Sequence, residues 1–487
     1  MTTPDRPIGA GLGGGGGLWP AHIPRPAAPG PVVIPGETRG SGAPATTASD
    51  ALPPEISTQR WPWKDVQWSL TYVGFLGYIY SITTYRFPLG DVSIVCALFG
   101  LLLQKQPLRV PGLLKGLGLF LLWATVGYSV SIVPSAVLDR LEVMGKLWLI
   151  ALVAANALRT RQQIRFFLAF WLACFAFYPV RGALFNYYIY HENLAGRAIW
   201  NYMFSNPNDL AAFGILQLSM ALGLNAIEEK GPVRLGARLG MAVVPFLILL
   251  TKSRGAFLGF AVFLTFVLSG HRRRVRAFSL ALVVGGLVLA VAPSGVLDRV
   301  FALKNIETTG DVGSADEEGS AEQRYEIWKV ARTIIREHPI AGVGIGSYPA
   351  MHARTARRSN FKPTALGYRD THSTYLNVAA ETGIIGVLIF LASYGVLLYE
   401  VDMQRRRAKK LRPHTAQTIF VLEVGLVGFF TAGLFGSFAH VSFLVLHAVT
   451  MWCVAELVRQ ELATATARRR MMVSAPALVT SPPSATR

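Results

Sequence analysis

The sequence predicts an all-α polytopic membrane protein with about twelve transmembrane helices and one large extracytoplasmic loop that contains short helices. Hydrophobic residues make up 52% of its 487 residues and charged residues only 15%, whereas soluble proteins contain about 25% charged residues. Apolar runs long enough to cross a hydrocarbon core of about 30 Å recur from residue 66 to residue 458. These two observations favour a membrane bundle over a set of soluble domains.

Twelve apolar segments account for the predicted membrane-spanning helices. They are residues 66–83, 89–104, 113–131, 141–158, 163–180, 208–227, 234–250, 255–269, 276–293, 378–399, 416–434 and 440–458. The segments 234–250 and 255–269 are short and meet at the sequence TKSRG, which predicts a bent helical hairpin.

Composition divides the chain into five regions. Residues 1–59 are rich in Gly, Pro, Ala, Ser and Thr, and such a segment cannot bury enough apolar surface to fold. We therefore predict a disordered cytoplasmic tail there. Residues 60–293 contain the first nine predicted spans, 294–377 form the large loop, 378–458 contain the last three spans, and 459–487 form a second disordered tail.

Basic residues cluster in every second connection between the predicted spans. The clusters lie at residues 105–115, 159–165, 234–238, 271–276 and 405–412, with a further group after the last span. Because cytoplasmic loops carry an excess of Lys and Arg, we predict that both termini are cytoplasmic and that residues 294–377 lie outside.

The formal net charge of +19 raises the question of nucleic-acid binding. The basic residues, however, lie in short loops and tails beside apolar runs, which is the pattern of topology-setting charge next to anionic lipid. A nucleic-acid-binding protein would need a basic soluble domain, and the sequence contains none. The expected partner of this charge is the lipid bilayer.

The outer loop has a helical signal of its own. Ser320 and Gln323 have the spacing of a capping box, and apolar residues recur at helical spacing from Ile327 until His338-Pro339 stops the helix. The glycine-rich stretch GVGIGSYP follows as a turn segment.

The cysteines and histidines do not form a metal-binding pattern. Cys96, Cys174 and Cys453 lie in separate apolar runs, and neither an HExxH nor a DxD motif is present. His440 and His447 are seven residues apart in the last predicted span, which favours interhelical hydrogen bonds over metal binding. We therefore expect neither a metal nor a cofactor.

Three sets of ionisable residues near the predicted outer face are candidates for a binding or catalytic site. The first set is Lys252 and Arg254, which lie in a short outer turn, where basic residues are normally scarce. A guanidinium forks onto phosphate oxygens, so these residues are a candidate anion clamp. The alternative is that Arg254 ends a helix and extends its charge towards water.

The second set surrounds Arg197, which precedes the predicted helix start NPNDLA at residues 206–211. Arg197 is either a second phosphate ligand or an interfacial charge. For Asp209 we favour a structural role, and we expect its side chain to cap the helix.

The third set lies in RDTHSTYLNVAAETGIIG at residues 369–386. His372 ends the outer loop, and an imidazole accepts a proton from a hydroxyl near neutral pH. Asp370 is placed to orient the ring, and Glu381 either faces the site or supports the bundle. A single loop histidine is, however, more often inert than catalytic.

Four motifs occur in a characteristic order and placement. They are NPNDLA at 206–211, SRGAFLG at 253–259, HPIAGVGIGSY at 338–348, and His372-Ser373 followed after nine residues by GIIG at 383–386. The last motif, with the long outer loop before it, is the most specific. In these motifs the chain, over about residues 66–458, resembles the O-antigen ligase superfamily, which includes lipopolysaccharide O-antigen ligases and Wzy-type polymerases.

The resemblance implies glycan transfer on the periplasmic face of the cell inner membrane. The donor would be a glycan linked to undecaprenyl diphosphate, and the acceptor a hydroxyl of lipid A-core, of a glycan or of another molecule. Arg254 and Arg197 would hold the diphosphate, and His372 would be the catalytic residue. Asp370, Glu381 and Lys252 are candidate supporting residues. The resemblance also implies a metal-independent reaction, for which we expect inversion at the anomeric carbon.

Two alternatives remain open from the sequence. A Wzy-type polymerase shares the donor chemistry but joins repeat units to each other. A transporter belongs to a different class and places ionisable groups near the bilayer midplane, often in repeated halves. Here the helix interiors contain few charges, and the candidate residues gather at one face, which disfavours transport.

Overall fold

The structure is a computed structural model that describes residues 52, 54–84, 89–270, 320–359 and 361–474. The described residues form helices and connecting turns, with isolated β-bridges but no strand among them. The predicted all-α class is therefore confirmed for this part of the chain.

The described ranges contain fifteen α-helical segments. They are α1 (Leu70–Thr84), α2 (Gly90–Leu103), α3 (Gly112–Thr125), α4 (Gly127–Val130), α5 (Pro134–Ala157), α6 (Arg161–Phe175), α7 (Arg181–Phe185), α8 (Pro207–Ile227), α9 (Pro232–Leu250), α10 (Arg254–Ser269), α11 (Ser320–Glu337), α12 (Tyr348–Arg358), α13 (Thr374–Ala408), α14 (Pro413–Ala432) and α15 (Ser442–Ser474). Two π-helical turns, Ala176–Val180 and Asn186–Tyr190, flank α7, and a short 3-10 turn covers Pro363–Ala365.

Seven helical stretches in the described ranges are long and apolar enough to cross a membrane. They are Gly112–Val130, Arg161–Tyr190, Pro207–Ile227, Pro232–Leu250, Thr374–Ala408, Pro413–Ala432 and Ser442–Arg468. Two shorter apolar helices are α2 and α10. Every predicted span that lies in the described residues coincides with a helix. Some of these helices are shorter or less apolar than a membrane-spanning helix. The predicted span 276–293 lies outside the described residues.

The centre of the bundle is α8, which packs between α14 and α9. Its apolar stretch is 83% buried, compared with 28% for α9. Small residues bring the helices together: Gly259 of α10 and Gly428 of α14 leave no room for a Cβ, because each would meet the other's carbonyl oxygen. Such close contacts are typical of helix packing in membranes, where interfaces are rich in small residues.

Ion pairs join the predicted cytoplasmic connections at one end of the bundle. Glu461 of α15 accepts hydrogen bonds from Arg161 at 2.8 Å and pairs with Arg412 at 3.1 Å. Arg165 forms a buried ion pair with Glu228 at the end of α8. The basic connections at residues 159–165 and 405–412 therefore meet at the same end of the molecule, which we call the inner end.

The opposite, outer end carries a small helical subdomain. Helix α11 ends at Glu337. The next two residues are His338-Pro339, which the sequence predicts as the stop of this helix. Helices α11 and α12 share a second apolar core that includes Val330, Ile334 and Tyr348. Residues 294–319 of the predicted loop lie outside the described residues, and α13 begins at Thr374.

A kink in α13 receives the glycine-rich turn that follows α11. Gly383 has φ 65° and ψ −171° inside the helix, a backbone conformation that essentially only glycine adopts. A Cβ at Gly383 would also collide with the carbonyl oxygen of Ile340. The Ile384 amide, next to this glycine, donates a hydrogen bond to the Pro339 carbonyl at 2.8 Å. The kink therefore fixes the outer subdomain on the membrane bundle.

Replacing Gly383 with Ala is expected to destabilise the protein by about 3 kcal/mol, since strained backbone and overpacking each cost about 1–3 kcal/mol. The measurement is the midpoint of unfolding in a denaturing-detergent titration. Gly395→Ala is the matched control on the same helix, because a Cβ there meets nothing within 4 Å. An unchanged midpoint for Gly383→Ala would show that the kink does not depend on glycine.

Candidate active site

Arg197 is held between two other connections at the outer end. Its Nε donates to the Thr251 carbonyl at 2.8 Å, and its Nη2 donates to Asn208 Oδ1 at 2.7 Å. The same Asn208 oxygen accepts a hydrogen bond from Ser253 Oγ at 2.8 Å. The segment before α8, the start of α8 and the α9–α10 turn are thus joined at one amide group.

The start of α8 differs from the sequence expectation. Asn206 is the N-cap, and its side chain accepts a hydrogen bond from the Asn208 amide at 2.9 Å. The expectation that Asp209 caps the helix is therefore wrong. Pro207 occupies the first helical position, where its missing N–H costs nothing, so the cap falls one residue before it. Asp209 instead lies in the first turn, where a carboxylate interacts favourably with the helix dipole.

Lys252 approaches the Arg197 segment from the α9–α10 turn. Lys252 has φ 49°, and a Cβ on Gly196 would lie 3.6 Å from its Nζ. Ser253 caps α10, so that Arg254 is the first residue of the helix. We call Arg197, Lys252 and Arg254 the cationic cluster. The sequence places Arg197 on one connection and the other two residues on another, and the fold brings these two connections together.

His372 lies on the segment that leads into α13, also at the outer end. Its Nδ1 is 4.0 Å from Asp370 Oδ2, which is longer than a hydrogen bond. The backbone at His372 is left-handed, with φ 49°. Burial lowers the pKa of His372 below its ordinary value, while the nearby Asp370 carboxylate opposes this shift. The imidazole is therefore neutral at neutral pH.

Two aromatic residues connect the His372 segment to the start of α10. The Trp328 indole donates to the Thr371 carbonyl at 2.9 Å, and its ring lies 6.0 Å from that of Phe435. Phe435 in turn packs on Gly255, where a Cβ would lie 2.7 Å from the Phe435 Cβ. His372 is thus adjacent in the fold to the helix end that carries Arg254.

Glu381 faces the outer subdomain. Its Oε1 accepts a hydrogen bond from the Tyr348 amide at 3.4 Å, at the start of α12. Its Oε2 lies 3.9 Å from His440 Nε2. Of the two roles that the sequence leaves open, the contacts favour support of the bundle, because a carboxylate at the start of a helix neutralises its dipole.

The two histidines near the last helix differ in their surroundings. His447 Nε2 lies 3.0 Å from the Leu422 carbonyl, an interhelical contact of the kind predicted. His440 precedes α15 and lies 3.2 Å from Asn377 Oδ1. Burial and the charge of Arg140 lower the pKa of His440 to about 3, so this side chain is neutral.

Several residues of this site were not singled out by sequence reasoning. Asn208 gave no signal beyond its place in NPNDLA, where a capping role was the simplest interpretation. Trp328 was predicted only as an apolar residue of a helix, and Phe435 falls in the connection between two predicted spans. Their roles depend on contacts between segments far apart in the chain, which a single sequence does not contain.

Comparison with known proteins identifies the region that contains most of this site. Residues 239–391 match the family described as O-antigen ligase, Wzy_C. The matched region runs from α9 into α13 and includes Lys252, Arg254 and His372, whereas Arg197 precedes it. No curated protein matches the chain. The match over residues 239–391 supports the O-antigen ligase superfamily.

Proposed function

We propose that this protein is a membrane glycosyltransferase of the O-antigen ligase type. It transfers a glycan from an undecaprenyl-diphosphate carrier to an acceptor hydroxyl on the periplasmic face of the cell inner membrane. The observation that supports this most strongly is the cationic cluster beside the segment that carries His372. The family match of residues 239–391 supports it independently.

In this proposal the cationic cluster binds the donor diphosphate. Guanidinium groups pair with phosphate oxygens in a bidentate manner. The hydrogen bonds from Arg197 to Thr251 and Asn208 hold its side chain in place before the donor arrives. Such preorganisation is most effective where negative charge builds up in the transition state, here on the departing diphosphate. Lys252 adds a third positive charge.

His372 acts on the acceptor. Its neutral imidazole takes the proton from the acceptor hydroxyl while the hydroxyl oxygen attacks the anomeric carbon of the donor. The bond from that carbon to the diphosphate oxygen breaks, and its electron pair leaves with the diphosphate. A single displacement of this kind inverts the anomeric configuration, and no metal takes part. Asp370 orients His372, and Glu381 positions the outer subdomain.

The proposed acceptor is a hydroxyl of a finished lipid or glycan molecule. A Wzy-type polymerase would carry out the same displacement with the next repeat unit as acceptor. Product length distinguishes the two, because a ligase adds one glycan to each acceptor and a polymerase builds a ladder of lengths.

We expect His372→Asn to lower kcat/KM for transfer from a lipid-linked donor by at least about a hundredfold, the usual contribution of a general base. Asn tolerates the left-handed backbone, so the fold is preserved. The assay uses the full-length protein in liposomes. His191→Asn is the matched control, because this exposed histidine also has a positive φ, 56°. Full activity of His372→Asn would rule out its catalytic role.

Arg254→Gln is expected to reduce kcat by about a hundredfold to a thousandfold, comparable to the loss of one preorganised donor to a developing anion. The same liposome assay measures it. Arg358→Gln makes the same chemical change at an exposed outer arginine that pairs with Glu337, and its activity should stay close to that of the unmodified protein. Equal activities of the two variants would contradict the proposed diphosphate site.

The pH dependence of transfer should follow the neutral form of His372. Because burial lowers the pKa of His372 below 6.5, kcat/KM should rise with pH, reach half its plateau below pH 6.5, and be constant near pH 7. Asp370→Asn removes the carboxylate that stabilises the protonated imidazole, so the midpoint should move further to the acid side. A midpoint above pH 7, or a shift to higher pH in Asp370→Asn, would contradict this assignment.

A further inference from the structure

A cavity of about 210 Å³ lies at the outer end of the stretch Arg161–Tyr190, away from the residues assigned to catalysis. Its walls include Thr84, Arg181, Asn186, Trp200 and Tyr202. The two π-helical turns that flank α7 form its rim, and π-helical turns within α-helices are frequent at functional sites. The cavity is smaller than the range of about 300–1,000 Å³ for small-molecule sites, so it accommodates a headgroup rather than a whole glycan.

Arg181 occupies an unusual position for a charged residue. It is exposed on a helical stretch that is apolar enough to cross the membrane. It follows Arg161, at the inner end, by twenty residues, which corresponds to about 30 Å along a helix, the thickness of the hydrocarbon core. Arg181 therefore reaches the level of the outer headgroups, where phosphates are its natural partners.

The described residues supply Arg181 with an aromatic contact but no counter-charge. Its guanidinium lies 4.7 Å from the ring centre of Phe185. No Asp or Glu is found among the described residues that line the cavity, and no ion pair of Arg181 is found in the described ranges. At the level of the headgroups, an exposed guanidinium with no counter-charge among the described residues is open to an anionic group outside the protein.

A buried hydroxyl in the cavity wall gives independent support. Thr84 is 1% exposed, and its Oγ1 has no hydrogen-bond partner among the described residues. Buried polar groups without a partner are rare and costly. The Trp200 indole lies directly against Gly182, where a Cβ would be 2.5 Å from its Nε1, and thereby lines the same cavity.

The cavity is close in the chain to the cationic cluster. Asn186 Nδ2 donates to the Ile199 carbonyl at 3.3 Å, and the Ala198 amide donates to the Leu250 carbonyl at 3.0 Å. These bonds fix a short segment whose Arg197 belongs to the cationic cluster and whose Trp200 lines the cavity.

We propose that this cavity binds the phosphate head of a lipid in the outer leaflet. Arg181 provides the charge, and the Thr84 hydroxyl and Trp200 indole N–H donate hydrogen bonds to the phosphate oxygens. Tyrosine and tryptophan side chains such as Tyr202 are suited to this membrane level. The phosphate comes either from a polyprenyl phosphate or from a phospholipid. The proposal does not depend on the transfer reaction.

The test measures lipid binding to the full-length protein in detergent micelles by native mass spectrometry. Undecaprenyl monophosphate and phosphatidylglycerol are the two probes, added separately and then in competition. We expect Arg181→Gln to bind the preferred probe about tenfold more weakly than the unmodified protein. Arg358→Gln, an exposed outer arginine away from the cavity, is the matched control and should bind normally.

Thr84→Val provides a second, nearly isosteric variant. It removes an unpartnered buried oxygen, so the unfolding midpoint without lipid should stay the same or rise, whereas lipid binding should weaken severalfold. Preference for undecaprenyl monophosphate would identify a polyprenyl-phosphate site, and equal binding of both probes a general lipid-phosphate site. The proposal is overturned if neither probe binds the unmodified protein, or if Arg181→Gln and Thr84→Val, both folded, bind as well as the control.

Discussion

One amide oxygen organises the outer end of this protein. Asn208 Oδ1 accepts hydrogen bonds from Arg197 and from Ser253, and so joins the start of α8 to the segment before it and to the α9–α10 turn. Helix α8 is the most buried of the candidate membrane spans in the described residues, so this oxygen is attached to the core of the bundle. A hydrogen bond from a charged donor is about twice as strong as one from a neutral donor. The bond from Arg197 to Asn208 therefore fixes the Arg197 side chain to the buried helix α8.

The outer subdomain depends on a different constraint, the fit between a glycine-rich turn and a broken helix. Besides the Ile384 bond, the Val343 amide donates to the Ala380 carbonyl at 2.9 Å and the Gly344 amide to the Glu381 carbonyl at 3.0 Å. The motifs HPIAGVGIGSY and GIIG, separate in the sequence, are therefore the two halves of one backbone interface. His372 lies just before the helix that contains this interface, so the candidate base and the kink belong to one continuous stretch of chain.

Much of the architecture could be predicted because it depends on local patterns. Apolar runs identified the helices, and the basic clusters identified the inner end that Arg161, Arg412 and Glu461 now join. The expectation for Asp209 failed for a local reason: it has the chemistry of a cap, but Pro207 sets the cap at Asn206. Contacts between distant segments could not be predicted. The sequence left two roles open for Glu381, and its contact with the start of α12 appears only in the fold. The link from Trp328 through Phe435 to α10 has no sequence signal at all.

The left-handed backbone at His372 has an evolutionary consequence. Asn and Asp are the residues that, with glycine, adopt this conformation most readily. In the genetic code each is also one base change away from His. A single mutation can therefore exchange the imidazole for an amide or a carboxylate without disturbing the chain around it. Descendants of this site can change their acid–base chemistry, or lose it, while the fold and the cationic cluster are retained.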